Sequence, residues 1–200
     1  QLVILQITLN DPQRKSYRPS GLTGVNEFGP LKLSGTEARL GNIWQTYAFV
    51  RTRFHNTKTM ENYVRYYHDL FENKKTWNPF KAELIAMNRY CKSQSVRLVT
   101  VIFPLFGLPV DRQYAFLKIH RRLNRFLSKH KIPTLDLLPV FTDIPLETLQ
   151  VEPGVDFHPN EYGHRLAAEA MYEWLQFDLR VFKEDGSFNS ELIPPAKKAA

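Results

Sequence analysis

The segment Asp156-Phe157-His158-Pro159-Asn160 holds the residue types of a general acid–base device. A carboxylate two positions before a histidine lies on the same side of an extended backbone. There it can bond one imidazole nitrogen and leave the other to take a proton. Pro159 pushes His158 out of the helical region toward the extended geometry that this presentation needs. The amphipathic run Glu161 to Leu175 follows, so Asn160 is placed to cap a helix, and the positive end of that helix favours a neutral imidazole, the form a base requires. Taken alone, Asp-x-His is also the pattern of a loop aspartate paired with a histidine at a helix start.

A second chemical signal lies at the other end of the chain. Leu2 to Leu9 is a short, mostly apolar run that reads as a buried strand, and it ends in Asn10-Asp11-Pro12. In an open parallel sheet, ligands bind outside the carboxyl ends of the strands, so the Asn10 amide would stand where a developing oxyanion could be met. The same three residues are also good turn formers.

Together the two segments resemble the SGNH/GDSL hydrolase family, in which a serine follows the first strand, a glycine the second, an Asn-Asp motif the third, and an aspartate and a histidine precede the last helix. The resemblance implies a doubly wound three-layer αβα sandwich with a parallel, flavodoxin-like sheet. It makes Asn10 an oxyanion-hole residue, Asp156 the orienting acid and His158 the base, with no cofactor or metal and with a small-molecule or carbohydrate ester as substrate. It covers residues 1–11 and, in order of elements, about 80–178; residues 13–79 carry nothing specific to it. Two spacings depart from the commoner pattern: Asp-x-His replaces Asp-x-x-His, and Thr8 stands where a glycine is often found two residues before the asparagine.

The larger departure is that neither Gly-Asp-Ser nor Gly-x-Ser-x-Gly occurs as a strand-to-helix element. Asp185-Gly186-Ser187 falls after the last helix, the wrong place for a nucleophile. The chain opens on Gln1 in mid-strand, so the expectation is that the nucleophile block and the first two strands lie outside it. These residues alone should then be inactive by the serine mechanism.

Other elements fit an alternation of strands and helices, hence a parallel sheet with right-handed crossovers. Arg97 to Phe103 reads as a strand buried on both faces and Thr134 to Leu138 as a third. Helical spacing marks Leu40, Ile43, Trp44, Tyr47, Val50 and Phe54, then Met60 to Phe71. It recurs in the stripe Phe80, Leu84, Met87 and Cys91, and in a basic helix whose apolar side is Phe116, Ile119, Leu123, Phe126 and Leu127. Leu166, Ala167, Ala170, Met171, Trp174 and Leu175 point inward on the closing helix. The organisation expected is one α/β domain over 1–180 and a polar, flexible tail over 181–200.

Two hundred residues with 43% hydrophobic and 13% aromatic content suffice for a sizeable core. The net charge of +7 is spread as the solvated face of the basic helix (Arg112, Lys118, Arg121, Arg122, Arg125, Lys129), with no nucleic-acid motif beside it. A single cysteine excludes an internal disulfide framework, and no run is long enough to span a bilayer. Compartment and oligomeric state stay open. In the loop after Asn10, Tyr17 and Phe28 could rim a cleft, as could the more distant Trp77. Three functions compete: ester hydrolysis, acyl transfer to a sugar hydroxyl by the same residues, and a non-catalytic or metal-binding module using Asp156, His158 and His164.

Overall fold

A computed structural model describes residues 1–14, 45–153 and 156–189, the backbone alone being described within 45–57. The chain divides into two compact units, residues 1–11 with 78–200, and residues 12–77.

The first unit is built on a three-stranded parallel sheet in the order β1-β2-β3, with β1 Leu2–Ile7, β2 Arg97–Ile102 and β3 Thr134–Asp136. β1 runs in register with β2 from Leu2↔Arg97 to Ile7↔Ile102, and β2 with β3 from Thr100↔Thr134 to Ile102↔Asp136. The mixed α/β architecture expected from the sequence is present, with helices flanking this sheet. β2 is central: Leu98, Val99, Thr100, Val101 and Ile102 are all buried, which is why it reads as an unbroken apolar run rather than an alternating one. Its one polar member is satisfied sideways, the Thr100 and Thr134 hydroxyls lying 2.7 Å apart.

Alternate residues of β2 serve its two neighbours. Arg97 and Phe103 donate backbone N–H groups to Gln1 and Ile7, while Thr100 donates to Pro133, and Ile102 accepts from Leu137. In a parallel ladder both backbone groups of one residue face the same side. Gln1, Val3, Leu5 and Ile7 therefore face β2, and Leu2, Ile4 and Gln6 present theirs to the outer edge. Among the described residues β1 has no other strand partner, and Val3 and Ile4 are 39% and 41% exposed.

After β2 the chain loops to α3 Leu117–Lys129, which buries Ile119, His120, Leu123 and Leu127 and keeps its arginines outside. The third strand is shorter than expected. Asp136 accepts the Leu138 N–H at 3.0 Å, and with Pro139 at the start this turns Leu138–Phe141 into a one-turn helix, α4. A 3-10 turn (Leu146–Thr148) leads into an antiparallel hairpin of β4 Gln150–Glu152 and β5 Asp156–Pro159. The closing helix α5 Glu161–Glu173 continues as a π turn, Trp174–Asp178, with Ala167, Trp174 and Leu175 buried.

Helix α2 Lys74–Ser93 buries Phe80, Leu84 and Cys91, but Met87 of the expected stripe is 40% exposed. Pro79, the sixth residue of the helix, offers no N–H to the Lys75 carbonyl four residues before it. In the second unit, the two helical patterns expected before residue 72 are one 28-residue helix, α1 Gln45–Glu72. No proline or glycine interrupts it, so nothing stops the first pattern before the second begins. Leu40, Ile43, Trp44, Tyr17 and Phe28 lie outside the described residues. Trp77 is 5% exposed with its ring 5.4 Å from that of Phe71, so it is a packing residue and not a cleft wall. Within the expected tail, Phe182 pairs with Phe188 around a turn in which Gly186 has φ 78°, and Val181 is buried. Residues 190–200 lie outside the described set.

Candidate active site

Asp156 and His158 meet as their spacing suggests, through a more particular geometry than plain alternation. Asp156 Oδ1 lies 2.6 Å from His158 Nδ1 and also accepts the His158 backbone N–H at 2.9 Å. Pairing of Gln150 with Pro159 and of Glu152 with Asp156 leaves two steps on β4 against three on β5, so β5 carries the extra residue of a bulge. Such a bulge re-aims side chains. Here it leaves Val151, Phe157 and His158 exposed, while Gln150 is buried.

The two bonds from His158, backbone first and then ring, hold the Asp156 carboxyl below the usual carboxylate range although it is solvent-accessible. An ionised carboxylate only accepts, so a neutral His158 carries its proton on Nδ1 and leaves Nε2 as the acceptor. The His158 side chain is 85% exposed, which keeps Nε2 open to approach.

Asn160 binds the hairpin to α5. Its Oδ1 accepts the Gly163 N–H at 3.0 Å, while its Nδ2 donates to the Thr148 and Gln150 carbonyls at 3.0 and 3.1 Å. At position 163 a Cβ would stand 3.2 Å from the Pro159 Cβ, a tight contact that would need the neighbour to give by a few tenths of an ångström.

Asn10 follows the carboxyl end of β1 in a turn closed by the Asp11 N–H on the Thr8 carbonyl. The Thr8 hydroxyl lies 2.5 Å from Asn10 Oδ1 and 3.1 Å from Asp11 Oδ1. Asn10 Oδ1 is thereby engaged, and the donor end of the amide is Nδ2. Thr8 thus contacts the Asn10 side-chain oxygen directly. Among the described residues no hydrogen bond joins Asn10 to Asp156 or His158. The common feature is an edge. Asn10 stands beyond the carboxyl end of β1, and the hairpin is tied by Gln150 Nε2 to the Phe106 carbonyl, at 2.6 Å, beyond the carboxyl end of the adjacent β2.

A second aspartate–histidine pair went unnoticed in the sequence. His120 Nδ1 lies 2.8 Å from Asp136 Oδ1, Asn124 Nδ2 donates to Asp136 Oδ2 at 2.6 Å, and the Tyr114 ring stands edge-on to His120. Burial alone would raise the Asp136 pKa; the His120 bond and charge, the Leu138 N–H and Asn124 outweigh it and hold the carboxyl below its ordinary value. Its residues lie 16 apart, so no local motif exists; the available signal was a histidine in the apolar stripe of α3 with Leu123 and Leu127. His120 is 1% exposed and its Nε2 lacks a partner among the described residues, so this pair is closed to substrate.

His164 is exposed on α5, and among the described residues no group of three or more histidine, cysteine or acidic side chains is placed to hold a metal ion. Ser187 donates to Asp185 at 2.6 Å inside an exposed turn. No described helix is long and apolar enough to cross a membrane. No family model matches the chain, and no curated protein and no solved structure matches it either.

Proposed function

We propose that this chain carries the base, the orienting acid and an oxyanion donor of an ester hydrolase of the SGNH/GDSL kind, within a doubly wound αβα fold whose nucleophilic serine comes from sequence outside these residues. The observation that carries the reading is the Asp156–His158 bond, which fixes the imidazole tautomer and leaves Nε2 open. In the reaction, His158 Nε2 takes the proton of the attacking serine hydroxyl, Asp156 stabilises the imidazolium, and Asn10 Nδ2 donates to the carbonyl oxygen as it becomes an oxyanion. His158 then returns the proton to the leaving alcohol, and a water repeats the sequence to release the acid.

The test uses the full encoded polypeptide, including whatever precedes Gln1. His158→Ala should lower ester turnover by about 10⁴-fold with an unchanged melting temperature, because triad members act in the chemical step. A fluorophosphonate should label one serine, and more slowly in the His158→Ala protein. Ester turnover undiminished by His158→Ala would end the reading.

A further inference from the structure

The Asp156–His158 bond is made within three residues and would persist wherever the hairpin went. Something else must decide where the imidazole stands. The side-chain bond that spans the longest sequence distance among those described in the first unit is Gln150 Nε2 to the Phe106 carbonyl, 2.6 Å across 44 residues, and Gln150 is only 5% exposed. Gln150 sits opposite Pro159, next to His158, and its own carbonyl accepts from the Asn160 amide. Its acceptor belongs to the loop after β2, which is held in turn by the Tyr114 hydroxyl, 2.8 Å from the Leu105 N and 3.1 Å from the Leu105 carbonyl oxygen. The bond is buried, and a buried carbonyl that loses its donor is costly to leave unpaired, so this bond has large leverage.

We propose that Gln150 is a positioning residue: its buried amide latches the His158 hairpin to the loop beyond β2 and so fixes the base over the carboxyl edge of the parallel sheet. This rests on His158 being the base.

The test has two arms. On the present chain, hydrogen exchange of the hairpin amides at Gln150–Glu152 and Asp156–His158 should speed up about tenfold in Gln150→Leu, the loss of one buried bond. In Gln150→Glu exchange should be faster than in the parent at pH 8 and return toward the parent's rate when both are compared at pH 5, because a protonated carboxyl donates to Phe106 as the amide does. In the full polypeptide, Gln150→Leu should lower kcat about tenfold or more with KM little changed, as a displaced base does. Its His158 Nδ1–H resonance should persist, the local bond being intact.

Unchanged hairpin exchange and kcat in Gln150→Leu would overturn the latch. Should that variant fail to fold, the absence of any pH-dependent recovery in Gln150→Glu would overturn it instead. Loss of the esterase reading shows separately, as turnover indifferent to His158→Ala.

Discussion

At the scale of single residues, the hairpin's chemistry depends on amides as much as on the imidazole. Asn160 is committed through both ends of its side chain, one capping α5 and the other holding two carbonyls. Asn160→Asp keeps the cap acceptor but removes the donor, so it separates the two roles. Asn160→Ala should lower stability by about 2–3 kcal/mol, a cap plus an exposed pair of carbonyls, and Asn160→Asp by about 1–2 kcal/mol, both read from urea unfolding. Equal losses in the two variants would show that the cap contributes nothing, and an unchanged Asn160→Asp that the carbonyl bonds contribute nothing. Beyond the carboxyl end of β1, Thr8→Val removes the hydroxyl bonded to the Asn10 amide oxygen while keeping the shape. In the full polypeptide it should reduce kcat by about tenfold, less than the roughly 10²–10³ for an oxyanion donor lost outright; an unchanged kcat would show the amide needs no such guide.

At the scale of elements, Asp136 joins three of them: the end of β3, α3 through His120 and Asn124, and the start of α4 through the Leu138 N–H. Its carboxyl is held below the ordinary value when folded. A depressed folded pKa stabilises at pH above the unfolded value and loses that contribution as pH falls through the folded value. The unfolding free energy should therefore drop as pH is lowered below about 4. Asp136→Asn should flatten that acid limb while lowering stability at pH 7 by about 2 kcal/mol through the lost charge-assisted bonds. An acid limb as steep in Asp136→Asn as in the parent would assign it to other carboxylates. The elements were also where sequence and structure met most closely. β1, β2 and the closing helix appear where apolar runs and three-and-four spacing put them. β3 is cut short because Asp136 turns its side chain onto the Leu138 N–H and Pro139 starts a helix there, a local contest that strand propensity does not weigh.

At the scale of the molecule, β1 is an edge strand among the described residues, paired only with β2. Leu2–Ile7 has neither charge nor proline, its even residues aim their backbone groups outward, and Val3 and Ile4 are exposed. Edges of this kind pair with further strands, in cis or between molecules. The chain on its own should self-associate in sedimentation, and Ile4→Lys should suppress this without shifting the unfolding midpoint by more than about 0.5 kcal/mol-equivalent, as expected for an exposed position. A monomer at high concentration without that change would contradict it. By itself the sequence determined whatever depends on neighbours a few residues apart: the positions of β1, β2 and the closing helix, the Asn160 cap, and the meeting of Asp156 with His158, but not the β4–β5 hairpin that carries the pair. Only tertiary structure decided where that pair stands, through Gln150 on Phe106, and that His120 and Asp136 form a closed second pair. Contacts spanning 44 and 16 residues leave no periodic trace in a sequence, because their partners are brought together by strand order and helix packing.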